Sequence, residues 1–186
     1  MKLLRSGRKD EIRELASQYA GLARRTFQGY VDLDSIAEFL NIEVERTQLP
    51  AGMSGRVRFN EETDRWRISI NMYDSIYRQK FTLAHEIGHV LLGHPNDEGL
   101  LRPLFSGHTN NLIEVEANYF ASYLIMPQYL MLAILKSFPE LEGFELMEPY
   151  EQDLVHEKIS KRIQTRCGVS LKAAQCRAWG LLVKQS

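Results

Sequence analysis

Residues 85 to 89 read His-Glu-Ile-Gly-His, a set of side chains that can hold a metal ion and move a proton. On an α-helix, residues four apart lie about 40° apart around the axis, so His85 and His89 are predicted to project from one face. Their separation of about one turn suits two ligands of a single zinc ion. Glu86 lies on the same side, where its carboxylate can take a proton from a water on the metal. The spacing therefore predicts metal-assisted hydrolysis with Glu86 as the base.

The rest of this predicted helix is apolar almost all round. Phe81, Leu83, Ile87 and Val90 occupy positions that point away from the two histidines. A helix with this pattern is predicted to be buried. Burial of two imidazoles and a carboxylate without partners would cost on the order of several kcal/mol. A metal in an open cleft on the polar side would remove that cost.

A third ligand is predicted in residues 114–121, which read Glu-Val-Glu-Ala-Asn-Tyr-Phe-Ala. Glu114 and Asn118 are four apart and share a helix face. Glu114 can therefore coordinate the metal, while Asn118 accepts a hydrogen bond from the outer N–H of a ligand imidazole. Glu116 points about 200° away from Glu114, so the two cannot serve one site. We predict Glu114 as the ligand, with Glu116 as the fallback; otherwise Glu116 is a solvated or salt-bridged surface acid.

Two further histidines are weaker candidates for the third ligand. If the helix continued, His94 would point about 180° from His85, so we expect it to face away and to mark the helix end. His108 follows a glycine in a loop and could reach the metal only through the loop geometry. Both alternatives stay open at this point.

The chain is predicted to begin with helices, continue through a small sheet and end in helices. The N-terminal helical region covers 10–41, with one helix at 10–28 and a second that begins at Asp32 or Asp34 and ends at Leu40. Sequence patterns predict strands at 42–45, 56–59 and 67–71 and helices at 75–92, 111–126, 128–137, 149–165 and 170–183. This order indicates one α+β domain over 1–186. A small, mostly antiparallel sheet in 42–71 is expected to pack on the helix that carries the two histidines. The active-site helices lie in 75–127, and the part in 128–186 is all-helical.

The composition limits the class of protein. The chain has 186 residues, of which 44% are hydrophobic and 25% charged, and its formal net charge is −1. These values are typical of a globular protein with one substantial core. No run of about eighteen apolar residues is present, and the N-terminus lacks a secretory apolar region, so we expect a cytoplasmic protein without a membrane segment. Cys167 and Cys176 are expected to be unbridged thiols.

Several of these segments together resemble the ImmA/IrrE family of zinc metallopeptidases. The similarity is carried by residues 81–89 (FTLAHEIGH), 114–121 (EVEANYFA) and 124–127 (LIMP), and it extends to 68–71, 168–170 and Arg177. The resemblance implies a zincin-like fold with a gluzincin-like site, in which His85, His89 and Glu114 bind one zinc ion per chain and Glu86 is the catalytic base. It also implies a protein substrate, such as a helix-turn-helix repressor that binds DNA.

The strand that precedes the metal-site helix is the predicted substrate-binding element. Ile68, Ser69 and Ile70 form the alternating segment nearest to the helix in sequence. We expect this strand to be an exposed sheet edge, which can hold an extended peptide by main-chain hydrogen bonds. Such binding makes little demand on side chains, so specificity would come from docking of a folded partner.

A catalytically silent zincin-fold binding module is the alternative function. Residues 158–182 are predicted to form helix, turn and helix, and residues 158–186 contain seven Lys or Arg and no acid. Such basic helices could contact protein or nucleic acid. The near-neutral net charge argues against a stand-alone DNA-binding protein. Trp179 and the apolar spacing of this segment instead predict core packing, with Ala173, Ala174, Ala178, Leu181 and Leu182 as the spaced residues.

A purely structural zinc site is a third interpretation. Such a site is normally closed by four protein ligands and needs no base. The glutamate that follows His85 therefore favours a catalytic site.

Overall fold

The structure is a computed structural model that describes residues 4–23, 30–94 and 112–182. The helices are α1 (Ser6–Leu22), α2 (Leu33–Phe39), α3 (Ile76–Leu91), α4 (Leu112–Ile125), α5 (Gln128–Leu135), α6 (Pro149–Cys167) and α7 (Leu171–Leu182). The strands are β1 (Glu43–Thr47), β2 (Gly55–Asn60) and β3 (Arg65–Asn71), and short 3₁₀ helices lie at Pro139–Leu141 and Phe144–Leu146. The predicted α+β fold with a helical C-terminal part is confirmed.

The three strands form one mixed sheet in the order β1-β3-β2. β2 pairs with β3 in the antiparallel sense, as expected, whereas β1 runs parallel to β3. The chain therefore crosses from one sheet edge to the other after β1 and then inserts β3 between its two predecessors. α3 packs against β2 and β3 on one side and against α4 on another, which places the metal-site helix inside the domain.

The position of β3 corrects the expected substrate-binding edge. Ser69 pairs with Glu45 of β1 on one side and with Arg56 of β2 on the other. Ile68 and Ile70 are likewise flanked by both strands, and all three residues are buried. Their strand is central, so the prediction that it forms an exposed edge is wrong. An incoming peptide cannot pair with a strand that already has two neighbours.

Local sequence features set two of the helix boundaries. Asp32 caps α2 by accepting a hydrogen bond from the backbone N–H of Ser35 at 3.2 Å, which selects it from the two predicted caps. α6 ends at Gly168, whose φ of 59° lies in the left-handed region that glycine adopts without strain. α6 and α7 thus form the predicted helix, turn and helix. The predicted helix at 10–28 begins earlier, at Ser6, and residues 24–28 lie outside the described part.

Trp179 departs from its predicted core position. Its side chain is 58% exposed and packs edge-on against His156, with 5.6 Å between the ring centroids. Of the other predicted core residues, Ala174, Ala178, Leu181 and Leu182 are buried, whereas Ala173 is half-buried. Trp179 directly follows Ala178 and is turned about 100° from it around the helix, so it leaves the buried stripe.

Among the helices in the described residues, none combines the length and apolar character that a membrane crossing requires. Cys167 is buried, Cys176 is exposed, and both are free thiols as expected.

Candidate metal centre

The HExxH segment lies in the C-terminal half of α3 and is helical, as the spacing predicted. Ser75 caps this helix by accepting a hydrogen bond from the backbone N–H of Arg78 at 3.3 Å. His85, Glu86 and His89 are only 1%, 3% and 2% exposed. Since α3 is packed between the sheet and α4, these three side chains are held inside the domain rather than at its surface.

Glu114 lies on α4, and its carboxylate is close to both histidines. Its Oε2 lies 3.2 Å from Nε2 of His85, and its Oε1 lies 3.6 Å from Nε2 of His89. The two Nε2 atoms are 2.9 Å apart. One potential ligand atom from each of the three residues falls within 4.8 Å of the others, and all three residues are buried. This group could hold a metal ion.

A glycine allows α3 and α4 to approach each other at this site. A Cβ added to Gly88 would lie 2.9 Å from Cδ1 of Phe120 and 3.5 Å from the Cα of Ala117. Gly88 is within the HExxH segment, and Ala117 lies three residues after Glu114 on α4. The small residues at this crossing therefore bring the carboxylate within reach of the histidines.

The electrostatics of Glu114 favour its anionic form. Burial by itself would raise the pKa of the carboxyl, but the hydrogen bonds and charges of His85 and His89 outweigh that effect and lower the pKa well below its usual value. A buried carboxylate with two imidazole partners is a donor set that a divalent cation can use.

Asn118 lies at the outer nitrogen of His85. Its Oδ1 is 3.1 Å from Nδ1 of the imidazole, a hydrogen bond in which the amide oxygen accepts when Nδ1 carries the proton. When Nδ1 carries the single proton of a neutral imidazole, the lone pair of Nε2, which faces Glu114, is available to a metal ion. The spacing of Glu114 and Asn118 predicted this contact, because residues four apart share a helix face.

Glu86 lies against the first residue of β2. A Cβ added to Gly55 would be 3.3 Å from Oε1 of Glu86 and would overlap Cγ2 of Thr82. The glycine therefore allows the strand to pass close to α3 at the potential base. Glu86 is adjacent in sequence to His85, so one turn of helix presents both a potential ligand and a potential proton acceptor.

His94 is oriented differently from the sequence-based expectation. Gly93 has a φ of 65°, and the backbone N–H of His94 bonds to the carbonyl of His89 at 3.0 Å. The chain thus turns back at the helix end, and Nδ1 of His94 lies 3.0 Å from Nδ1 of His89. The prediction that His94 faces away is wrong, although it does mark the helix end. His108, the other alternative, lies outside the described residues.

Glu116 pairs with a residue that the sequence did not single out. Arg8 of α1 donates to it from Nε at 3.0 Å and from Nη2 at 2.6 Å, which matches its interpretation as a salt-bridged acid. Oε2 of Glu116 also lies 3.2 Å from Nε2 of His94. The Arg8 guanidinium lowers the pKa of Glu116. Burial lowers the pKa of His94, and the Glu116 carboxylate opposes this effect.

These features define a class of protein. A small sheet, a buried HExxH helix and a neighbouring helix that supplies a carboxylate form the type of site found in metallopeptidases. A sequence model described as the IrrE N-terminal-like domain, from a peptidase family, matches residues 37–178. Because this match covers most of the chain, the protein belongs to that metallopeptidase family.

The fold also has a counterpart among solved structures. A transcriptional regulator from Mycobacterium tuberculosis is similar with a TM-score of 0.54 and 16% sequence identity. The similar region covers 90% of this chain and 47% of that chain, so this protein spans about half the length of the regulator. At this identity the likeness shows the fold alone. No curated protein is significantly similar in sequence.

Proposed function

We propose that the protein is a zinc-dependent cytoplasmic endopeptidase that hydrolyses a peptide bond in a regulatory protein. The observation that carries the proposal is the convergence of His85, His89 and Glu114 within 4.8 Å, with Glu86 on the same helix as the two histidines. Membership of the metallopeptidase family supports the reaction class.

The donor set fits zinc. Two imidazole nitrogens and one carboxylate oxygen are the protein ligands of many catalytic zinc sites, which leave a fourth position open. Here the outer nitrogens of both imidazoles have partners, Asn118 for His85 and His94 for His89, so both Nε2 atoms face Glu114. When bound there, zinc would supply the Lewis acidity that activates a water and polarises a peptide carbonyl.

Glu86 is the residue to which we assign proton transfer. It immediately follows the proposed ligand His85 on α3 and lies next to Gly55 at the start of β2. From this position its carboxylate can take a proton from the attacking water and give it to the departing amine. Because Glu86 is 3% exposed, bulk water competes little for that proton.

The edge of β2 replaces β3 as the proposed peptide-binding strand. Among the described residues, β2 pairs with β3 on one side and with no strand on the other. Its first residue, Gly55, lies against Glu86. A substrate segment added to this edge by main-chain hydrogen bonds would therefore pass close to the proposed base. Ile68, Ser69 and Ile70 would support that strand from the interior rather than touch the substrate.

The proposed substrate class is a DNA-binding repressor with a helix-turn-helix. It rests on the family resemblance, and we transfer it to this chain as a hypothesis. Main-chain pairing depends little on the side chains of the substrate. Selection of such a partner would therefore need a second docking contact.

The silent binding module is less well supported by the described residues. Arg177 is one of the bases that could contact DNA. Its Cζ lies 4.0 Å from the ring centre of Tyr123, and its Nη2 donates to the carbonyl oxygen of Met126 at 3.4 Å. It therefore stabilises the interior of the helical part. The other described bases of this segment are exposed and would have to supply any nucleic-acid contact: Lys158, Lys161, Arg162, Arg166 and Lys172.

The test compares wild type with Glu86→Gln in cells of the source organism, with newly formed protein N-termini identified by mass spectrometry. We expect wild type to create new N-termini in a DNA-binding regulator and Glu86→Gln to create none, although both purified proteins hold zinc. Glu157→Gln is the matched control, because Glu157 is an exposed acid paired with Lys161 on α6. Equal cleavage by wild type and Glu86→Gln would remove Glu86 as the base.

A further inference from the structure

A series of three hydrogen-bonded side chains connects the N-terminal helix to the proposed ligand His89. Arg8 of α1 holds Glu116 of α4 through two hydrogen bonds, and Glu116 lies 3.2 Å from Nε2 of His94. Nδ1 of His94 in turn lies 3.0 Å from Nδ1 of His89. We propose that Arg8, Glu116 and His94 are positioning residues that hold the His89 imidazole in the orientation that binds the metal. This inference rests on the metal site of the proposed function.

The positions of the protons in this series of hydrogen bonds follow from one condition, which is that Nε2 of His89 binds the metal. If Nε2 of His89 gives its lone pair to a metal, its Nδ1 must carry the proton and act as the donor. His94 must then accept at Nδ1, which leaves its own proton on Nε2, directed at Glu116. Arg8 can only donate, and the Glu116 carboxylate can only accept. A single set of tautomers therefore satisfies every hydrogen bond in this series. That set leaves the lone pair of Nε2 of His89 available to bind a metal ion.

The contacts become more enclosed toward the metal site. The side chain of Arg8 is 39% exposed, that of Glu116 is 15% exposed and that of His94 is 6% exposed. A hydrogen bond in such an enclosed site is electrostatically stronger than one at the surface. The outer end is fixed by the two parallel hydrogen bonds of an arginine fork, which restrict the direction of the carboxylate as well as its distance.

Arg8 comes from a part of the chain that the family model does not cover. The match spans 37–178, whereas α1 covers Ser6–Leu22. α1 is nevertheless fixed in the domain, because its residues Ile12 and Ala16 are fully buried in the core and the helix packs along α4. The proposal therefore makes the N-terminal helix part of the metal centre.

The test measures the zinc dissociation constant of the full chain by competition with a chromophoric chelator. Removing a partner that orients a ligand imidazole typically weakens metal binding by about 10- to 100-fold. We expect His94→Ala and Glu116→Gln to weaken zinc binding by roughly tenfold or more. Arg8→Met should have a smaller effect of about three- to tenfold, because Glu116 keeps its contact with His94. The absorption spectrum of the Co²⁺-substituted protein should change in all three variants, since it reports ligand geometry.

Arg13→Met is the matched control. Arg13 is on the same helix as Arg8, its side chain is 37% exposed, and its hydrogen bond goes to Asp10 of α1 rather than to α4. This variant should leave the zinc dissociation constant and the Co²⁺ spectrum unchanged. In addition, Arg8→Met should have no further effect on zinc affinity when His94 is already alanine, because the connection to His89 is then broken.

Two results would overturn the proposal. One is that His94→Ala and Glu116→Gln both retain the zinc affinity and the Co²⁺ spectrum of wild type. The other is a loss of stability in Arg8→Met without any change in zinc affinity, which would show that Arg8 only tethers α1 to α4. Glu114→Ala separates these results from failure of the proposed function. If wild type binds zinc and Glu114→Ala does not, the metal site stands whatever the positioning variants show.

Discussion

Gly88 of α3 faces the ring of Phe120 on α4 so closely that an added Cβ would lie 2.9 Å from Cδ1 of that ring. This contact fixes the separation of the two helices that carry the proposed ligands. His85 and His89 flank Gly88 on one helix, and Glu114 lies on the other. The geometry of the metal centre is therefore coupled to a packing contact between two residues that touch no metal.

Gly88→Ala should lower both stability and metal affinity. The methyl group must displace the Phe120 ring or the α4 backbone, and overpacking of this kind costs about 1–3 kcal/mol. Alanine in a helix offsets this by about 0.5–1 kcal/mol. Gly180→Ala is the control, because Gly180 is exposed on α7 and an added Cβ would meet nothing within 4 Å. Urea denaturation should show Gly88→Ala destabilised and Gly180→Ala slightly stabilised; an equally stabilised Gly88→Ala would contradict the close packing.

Asn118→Ala should weaken zinc binding by about 10- to 100-fold, because His85 loses the acceptor at its outer nitrogen. Asn118→Asp retains an oxygen at that position and should bind zinc at least ten times more tightly than Asn118→Ala. Chelator competition measures both variants. Equal zinc affinity for Asn118→Ala and wild type would show that this hydrogen bond does not orient the ligand.

Lys80 should make the stability of the protein rise with pH. Its Nζ donates to the backbone carbonyl of Cys167 at 2.6 Å, and burial lowers the pKa of Lys80 from 10.5 to about 8. Between these two values the unfolded chain binds more protons than the folded chain, so the free energy of unfolding increases with pH. From pH 8 to pH 9, wild type should gain about 1 kcal/mol relative to Lys80→Met.

The comparison with Lys80→Met separates this effect from that of the nearby thiol, because both proteins retain Cys167. Burial raises the pKa of Cys167 from 9.0 to about 11, so above pH 9 the folded chain retains the thiol proton that the unfolded chain loses. Cys167 therefore lowers stability in the window where Lys80 raises it. Urea denaturation at pH 8 and pH 9 checks the prediction, and parallel changes in wild type and Lys80→Met would refute it.

Local patterns in the sequence predicted most of the helices and strands and the residues of the group that could hold a metal. The arrangement of His85, His89 and Glu86 follows from helix geometry alone once the segment is helical. Glu114 and Asn118 were found because their spacing of four puts them on one face. In each case the decisive geometry lies within one helix, and the periodicity of that helix records it.

The errors concern contacts that depend on tertiary structure or on a single backbone turn. His94 was expected to face away because an ideal helix was extended past its true end, whereas Gly93 adopts a left-handed conformation that returns the chain to His89. The central position of β3 depends on strand order, which strand patterns do not encode. The role of Arg8 could not be predicted, since it is separated from Glu116 by 108 positions.

The zinc content of wild type and Glu114→Ala, measured side by side after equilibrium dialysis against limiting zinc, tests the metal centre most directly. We predict close to one zinc ion per wild-type chain and a small fraction of that in Glu114→Ala, with normal loading of the Glu157→Gln control. Equal zinc contents in wild type and Glu114→Ala, or a wild-type chain that binds no zinc, would contradict a centre formed by His85, His89 and Glu114.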